Sequence, residues 1–155
     1  MEVFRLSRSK YANALTASGA AGRWNFDDEY VLYTGASRSL ATLERLAHAN
    51  TSKLAGDYEM MIISIPNGRG FYHEIRIEDL PGEWRFNSVY SELQKIGSDW
   101  YTKLLSPVLK VPSAVIPREY NYILNSTHPD FSKISLNPNE EYFWDARLIE
   151  MFLKV

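Results

Sequence analysis

The sequence predicts an α+β fold: one compact domain over residues 1–155, with a central mixed sheet flanked by helices. Three observations predict it. A chain of 155 residues suits one domain with one core. Residues 59–66, EMMIISIP, form a nearly continuous apolar run of the kind a buried strand shows. Apolar residues also recur at helical spacing in two places, at Leu40, Leu43, Leu46 and Ala47, and at Val89, Leu93, Ile96, Trp100 and Leu104.

Taken in order, Glu2 to Leu6 reads as a short strand with Arg5 in its middle, as an exposed strand-face residue. Ser7 to Ala21 is small and polar, and predicts a short helix followed by a loop. Gly19 and Gly22 would let the backbone approach a ligand closely. Phe26 to Glu29 is a polar turn, and Tyr30 to Tyr33 is strand-like by composition. Ser37 or Ser39 is a cap for the next helix. Glu44 sits on the edge of that helix's apolar stripe, where it reads either as a surface partner or as a carboxylate delivered to a site. The 59–66 run and the alternating Phe71 to Ile77 read as a hairpin across the Asn67–Gly70 turn. Trp84 closes the next turn as an aromatic anchor. The second helical run contains Gly97, so two pieces bent there are expected. Pro107 to Ile116 is an apolar strand in which Pro112 should mark an edge, a bulge or a start. Glu119 to Asn125 is a mixed strand or loop, and the alternating Glu140 to Leu148 reads as a late strand.

Composition excludes several classes. The net charge is −2 and the Lys and Arg residues form no basic stripe, which argues against direct nucleic-acid binding. Without Cys there is no disulfide and no thiolate metal site, in keeping with a reducing cytoplasm. The charged N-terminus is not a signal peptide, and no apolar run is long enough for a membrane helix. Ser113 with His48, His73 and His128 raises a serine hydrolase, but no G-x-S-x-G elbow is present. Isolated His residues and the lack of HExxH leave no metal motif. Asp27-Asp28 and Glu140-Glu141 sit in polar runs and read as solvated turns.

What remains is Arg23, Tyr33, Glu44 and Ser113. Arg offers a planar fork for phosphate oxygens. Tyr offers a flat face with a polar tip. A buried carboxylate can hold a ribose hydroxyl and stabilise positive charge at an anomeric carbon. Such a set suits a substrate with phosphates and a glycosidic bond.

The chain resembles the RES-domain toxin family. The segments that carry the resemblance are Phe4-Arg5-Leu6, Gly22-Arg23-Trp24-Asn25, Val31-Leu32-Tyr33-Thr34 with Ser37, and Leu40-Ala41 with Leu43-Glu44. Further on come Leu80-Pro81 with Trp84, Ile96-Gly97 with Trp100, Val111-Pro112-Ser113-Ala114, Asn121, Asn125 with His128-Pro129, and Asp145-Ala146-Arg147-Leu148. The resemblance implies a single RES domain over 1–155, with a fold related to ADP-ribosyltransferases. It implies a toxin of a toxin–antitoxin pair that consumes NAD+ as substrate without a metal, by hydrolysis, by phosphorolysis or by ADP-ribosyl transfer to a protein. Carried over, Arg23 holds phosphates or ribose, Tyr33 packs on the nicotinamide end, and Glu44 stabilises the oxocarbenium-like transition state. Ser113 binds the ribose or positions Glu44; Gly22, Trp24, Asn25 and Asn121 shape the pocket, and Arg5 adds positive charge. His48, close after Glu44, is a supporting residue. The implied partner is an antitoxin with a helix-turn-helix region that covers the site, so that DNA is reached only through it. A homodimer is left open, and a binding module without turnover is the alternative from another class.

Overall fold

The strands and helices of the chain follow its apolar patterning, with four departures. A computed structural model describes residues 1–49 and 54–154. The strands are β1 (Glu2–Arg8), β2 (Val31–Gly35), β3 (Tyr58–Ser64), β4 (Tyr72–Glu74), β5 (Val108–Pro112), β6 (Tyr120–Asn125), β7 (Ser135–Leu136) and β8 (Glu140–Tyr142). The helices are α1 (Arg38–Ala47), α2 (Tyr90–Thr102) and α3 (Ala146–Leu153). All eight strands join one mixed sheet in the order β4-β5-β6-β2-β1-β3-β7, with β8 also on β3. Among the described residues only β4 with β5 is parallel.

Side-chain alternation sends neighbouring residues to opposite faces. Val3, Leu32, Met61, Ile63, Val108 and Leu124 build one cluster. On the other face, Phe4, Leu6, Met60 and Ile62 pack with Ala41 of α1. Val31, Leu109, Val111 and Ile123 pack on that face with Trp24, Trp84 and with Leu93 and Trp100 of α2. Gly35, paired with Phe4, faces α1 at close range: a Cβ there would lie 3.0 Å from the Ala41 nitrogen. Both longer helices thus cover one side of the sheet, where β5 ends and β6 begins at the Pro112–Tyr120 pair.

The first departure concerns Ser7 to Ala21. β1 runs on to Arg8, which pairs with Tyr58, and a 3-10 turn at Ser9–Tyr11 replaces the expected helix. Small residues without an apolar stripe give a helix nothing to bury. The second is the hairpin. β3 lies between β1 and β7, whereas β4 joins β5 at the far edge. A strand buried on both faces draws long-range partners on both sides, and Gly70, at φ +87°, turns the chain away from β3. Third, α2 passes unbroken through Gly97. That glycine serves a close approach, because a Cβ would sit 1.8 Å from the Trp24 carbonyl oxygen. Fourth, the late strand stops at Tyr142 and Asp145 caps α3, its Oδ1 accepting from Arg147 N at 2.9 Å. The aromatic alternation reflects ring packing instead: Trp144 meets Tyr58 and Tyr142 edge-on, at 5.4 and 5.1 Å between centroids. Pro112 falls at the end of β5, beyond the last residue that pairs with β4.

Candidate active site

Ser37 starts α1 by accepting from Leu40 N at 3.1 Å, and Leu40 and Ala41 turn inward. One turn later Glu44 projects from the same helix toward the end of β5 and the start of β6. There the chain turns sharply after Pro112. Ser113 is fully buried, and its Oγ accepts from Val115 N at 3.1 Å and Ile116 N at 3.0 Å. With its lone pairs so used, the hydroxyl donates to Glu44 Oε1 at 2.7 Å. Asn121, in register with Gly35 on β2 and Val111 on β5, donates its Nδ2 to the same Oε1 at 2.6 Å.

Two donors therefore pin one carboxylate oxygen. The other, Oε2, has His48 Nε2 at 3.8 Å, and the Glu44 side chain is 21% exposed. One oxygen anchors the group, and the other is held by neither Ser113 nor Asn121. Among the described residues Asn121 Oδ1 is buried without a hydrogen-bond partner, an acceptor left for something else to meet.

Arg23, Tyr33 and Asn25 form a second group. The turn Gly22–Asn25 closes on itself through Gly22 N to the Asn25 carbonyl, 3.1 Å. Tyr33 rises into it from β2, its hydroxyl donating to Asn25 Oδ1 at 2.6 Å and accepting from Trp24 N at 3.0 Å. Burial, foremost, pushes the Tyr33 phenol above its ordinary pKa. Asn25, fully buried, also donates to the carbonyls of Ala20, Phe26 and Glu29. Trp24 is buried in the α2 cluster. Gly22 has no room for a side chain, since a Cβ would lie 2.5 Å from the Tyr33 oxygen. Trp24 and Asn25 thus hold the turn from inside, and Arg23 is its outward member. Arg23 lies over the Tyr90 ring at 5.2 Å and sends Nη1 to the Trp84 carbonyl at 3.2 Å.

The two groups are linked. The residue after Trp84, Arg85, donates Nε to the carbonyl of Ala114 at 2.9 Å, next to Ser113. Tyr33 and Gly35 share a strand face, and the partners of that row are Ile123 and Asn121. Arg5 lies behind. β1 and β2 share a single registered pair, and past it Arg5 Nη1 reaches the Tyr33 carbonyl at 2.9 Å. Burial, and then the charge of Arg45, lowers the Arg5 pKa. The sequence reading left out Gln94 of α2, whose Nε2 donates to the carbonyls of Gly22 at 3.1 Å and Asn25 at 3.2 Å. Its signal was a polar residue one helical turn after Tyr90 and beside the apolar stripe.

A surface hollow of about 640 Å³ at the β3–β8 edge, walled by Tyr58, Tyr142 and Trp144, contains none of these residues. Among the described residues no group of three or more His, Asp or Glu side chains is placed to hold a metal ion. None of the described helices is long and apolar enough to cross a membrane.

Comparisons with known proteins place this chain in a family. A family model described as RES domain matches residues 2–145. A protein named Toxin Res from Photorhabdus laumondii is 35% identical over 97% of this chain and 98% of its own length. Another Toxin Res, from Yersinia enterocolitica, is 32% identical over 84% of this chain and 88% of its own. A Prs ADP-ribosylating toxin from a Sphingobium species is 29% identical, covering 92% and 91%. In fold the chain is similar to a chain of the M. tuberculosis MbcT–MbcA toxin–antitoxin complex, with a TM-score of 0.70 at 13% identity, over 99% of this chain and 89% of that one. By sequence over most of its length, the chain belongs to the RES-domain family.

Proposed function

We propose that this chain is the toxin of a toxin–antitoxin pair and depletes NAD+ by cleaving the bond between nicotinamide and ribose. The observation that carries the proposal is the Glu44 carboxylate, pinned through Oε1 by Ser113 and Asn121 while Oε2 is held by neither and the side chain stays 21% exposed. Breaking the bond sends its electron pair to the pyridinium nitrogen, so nicotinamide leaves neutral and needs no acid. Positive charge then develops on the ribose. A fixed carboxylate oxygen beside it lowers the barrier without reorganising during the reaction. A water or phosphate oxygen next bonds to the anomeric carbon, and a water's proton passes to Glu44 Oε2. Arg23 supplies the cation for the pyrophosphate. Tyr33 sets Arg23's turn, and the free Asn121 Oδ1 is an acceptor for a ribose hydroxyl or the carboxamide.

On this reading residues 1–155 make one RES domain that works in the cytoplasm, uses NAD+ as its substrate and needs no metal. Its partner is an antitoxin whose helix-turn-helix region supplies any DNA contact, and the toxin itself is a monomer or a homodimer. The Sphingobium relative's name favours a second acceptor, a cellular protein that receives ADP-ribose. Incubation with NAD+ labelled in the adenylate half tests both readings. Labelled ADP-ribose or its 1″-phosphate supports depletion, and label on a protein band supports transfer. Intact NAD+ with no labelled protein in lysate refutes both.

A further inference from the structure

α2 carries a polar stripe that the apolar reading of the helix does not explain. Tyr90, Gln94, Gly97, Ser98 and Tyr101 recur at helical spacing, and each meets the segment 19–30. Tyr90 lies under Arg23. Gln94 binds the carbonyls of Gly22 and Asn25. Gly97 receives the Trp24 carbonyl where no Cβ would fit. Ser98 donates to the Glu29 carboxylate, whose Oε2 accepts from Phe26 N at 2.8 Å. The Tyr101 hydroxyl accepts from Tyr30 N at 3.2 Å.

Of these contacts only Gln94's grip the carbonyls on either side of Arg23-Trp24. Both neighbours are acceptors, so the amide must present its NH2 group there. Each hydrogen reaches one carbonyl of a turn in which Trp24 N already donates to the Tyr33 hydroxyl and Gly22 N to the Asn25 carbonyl. Held by the sheet on one side and by Gln94 on the other, the turn has one side chain directed outward, Arg23, which rests on Tyr90 and the Trp84 carbonyl.

We propose that Gln94 is the positioning residue of Arg23: by fixing the carbonyls that flank it, Gln94 sets where the guanidinium meets the substrate's phosphates. The proposal rests on the NAD+ reading above. Its mark is an effect on substrate binding that passes through Arg23 and largely spares the bond-breaking step at Glu44.

The test is Gln94→Met, which keeps the side-chain length and removes both donors, made alone and together with Arg23→Ala. Wild type, both single variants and the double variant are compared for nicotinamide release across NAD+ concentrations. Amide hydrogen exchange of residues 19–30 and the melting temperature are measured beside it. Gln94→Met should raise KM for NAD+ roughly five- to twentyfold, as expected for two lost hydrogen bonds, with kcat within about threefold. In the Arg23→Ala background it should add less than about twofold. Exchange in 19–30 should quicken while the melting temperature stays close to wild type.

An unchanged KM overturns the proposal, and so does a KM effect equally large without Arg23. Early melting with loss of kcat overturns it too, by making Gln94 a prop for the whole fold. If wild type releases no nicotinamide, the NAD+ reading falls by itself and the exchange measurement decides: unchanged exchange of 19–30 in Gln94→Met then overturns the positioning role.

Discussion

Replacing Ser113 by Ala removes one oxygen and three hydrogen bonds. Two are accepted from Val115 N and Ile116 N, and one is donated to Glu44 Oε1. The bond to the carboxylate is the stronger kind, worth about 1.5–3 kcal/mol when one partner is charged. Val115 and Ile116 are half-buried, so water can meet part of what their N–H groups lose. The stability cost should therefore be about 2–4 kcal/mol rather than the sum of three full penalties. Glu44 would keep only Asn121 on Oε1, and its carboxylate could rotate. If the lost bond is felt in the transition state, about 1.5–3 kcal/mol corresponds to a rate lower by roughly ten- to a hundredfold. Urea unfolding measures the first effect, and nicotinamide release at saturating NAD+ measures the second. A variant that stays folded and releases nicotinamide within about threefold of wild type would refute the reasoning, because the clamp on Oε1 would then contribute nothing to catalysis.

Further outcomes follow from neighbouring contacts. Tyr33→Phe leaves Asn25 Oδ1 and Trp24 N without their partner; it should cost about 2–4 kcal/mol in denaturant unfolding, and a change below about 0.5 kcal/mol would contradict the packing described. Gly97→Ala improves helix propensity but drives a Cβ against the Trp24 carbonyl, so it should lower stability by about 1–3 kcal/mol, read by thermal unfolding. The Arg147 guanidinium, and then its backbone N–H, hold Asp145 at about 2, below its ordinary 3.8. Because the folded value is the lower one, the cap of α3 is intact above 3.8 and is lost as pH falls toward 2. Amide exchange of residues 146–153 should quicken over that window, and Asp145→Asn should abolish the pH dependence.

Much of this architecture was legible because it is written in short-range patterns. The Ser37 cap with Leu40 and Leu46 marks α1, but Leu43 and Ala47 of the expected stripe are exposed and Ala41 is buried in their place, which turns Glu44 inward. The apolar runs specify β3 and β5. Strand partners were not legible in the same way. β3 and the segment after Gly70 look like a hairpin locally, yet β3 pairs with β1 along its whole length and β4 pairs with β5. Partner choice there depends on burial of both faces of β3, which a window of residues does not contain. Gly97 misled for a related reason: a helix glycine reads as a break, whereas here it receives a backbone carbonyl from a loop far away in sequence. At the site, Glu44, Ser113 and Asn121 meet as one bonded group. Tyr33 and Asn25 are spent on each other. Gln94 went unnoticed because its partners are backbone carbonyls, which leave no mark in composition.

The proposed cleavage of NAD+ turns on the pinned Glu44 carboxylate. Its most direct test is nicotinamide release from NAD+ by wild type and by Glu44→Gln, with and without inorganic phosphate. Gln keeps the shape and can still accept through its oxygen, but it carries no charge. The account predicts release by wild type and a fall of at least about a hundredfold in Glu44→Gln at unchanged folding, the scale of losing one electrostatic stabiliser. Release by Glu44→Gln at the wild-type rate would contradict it.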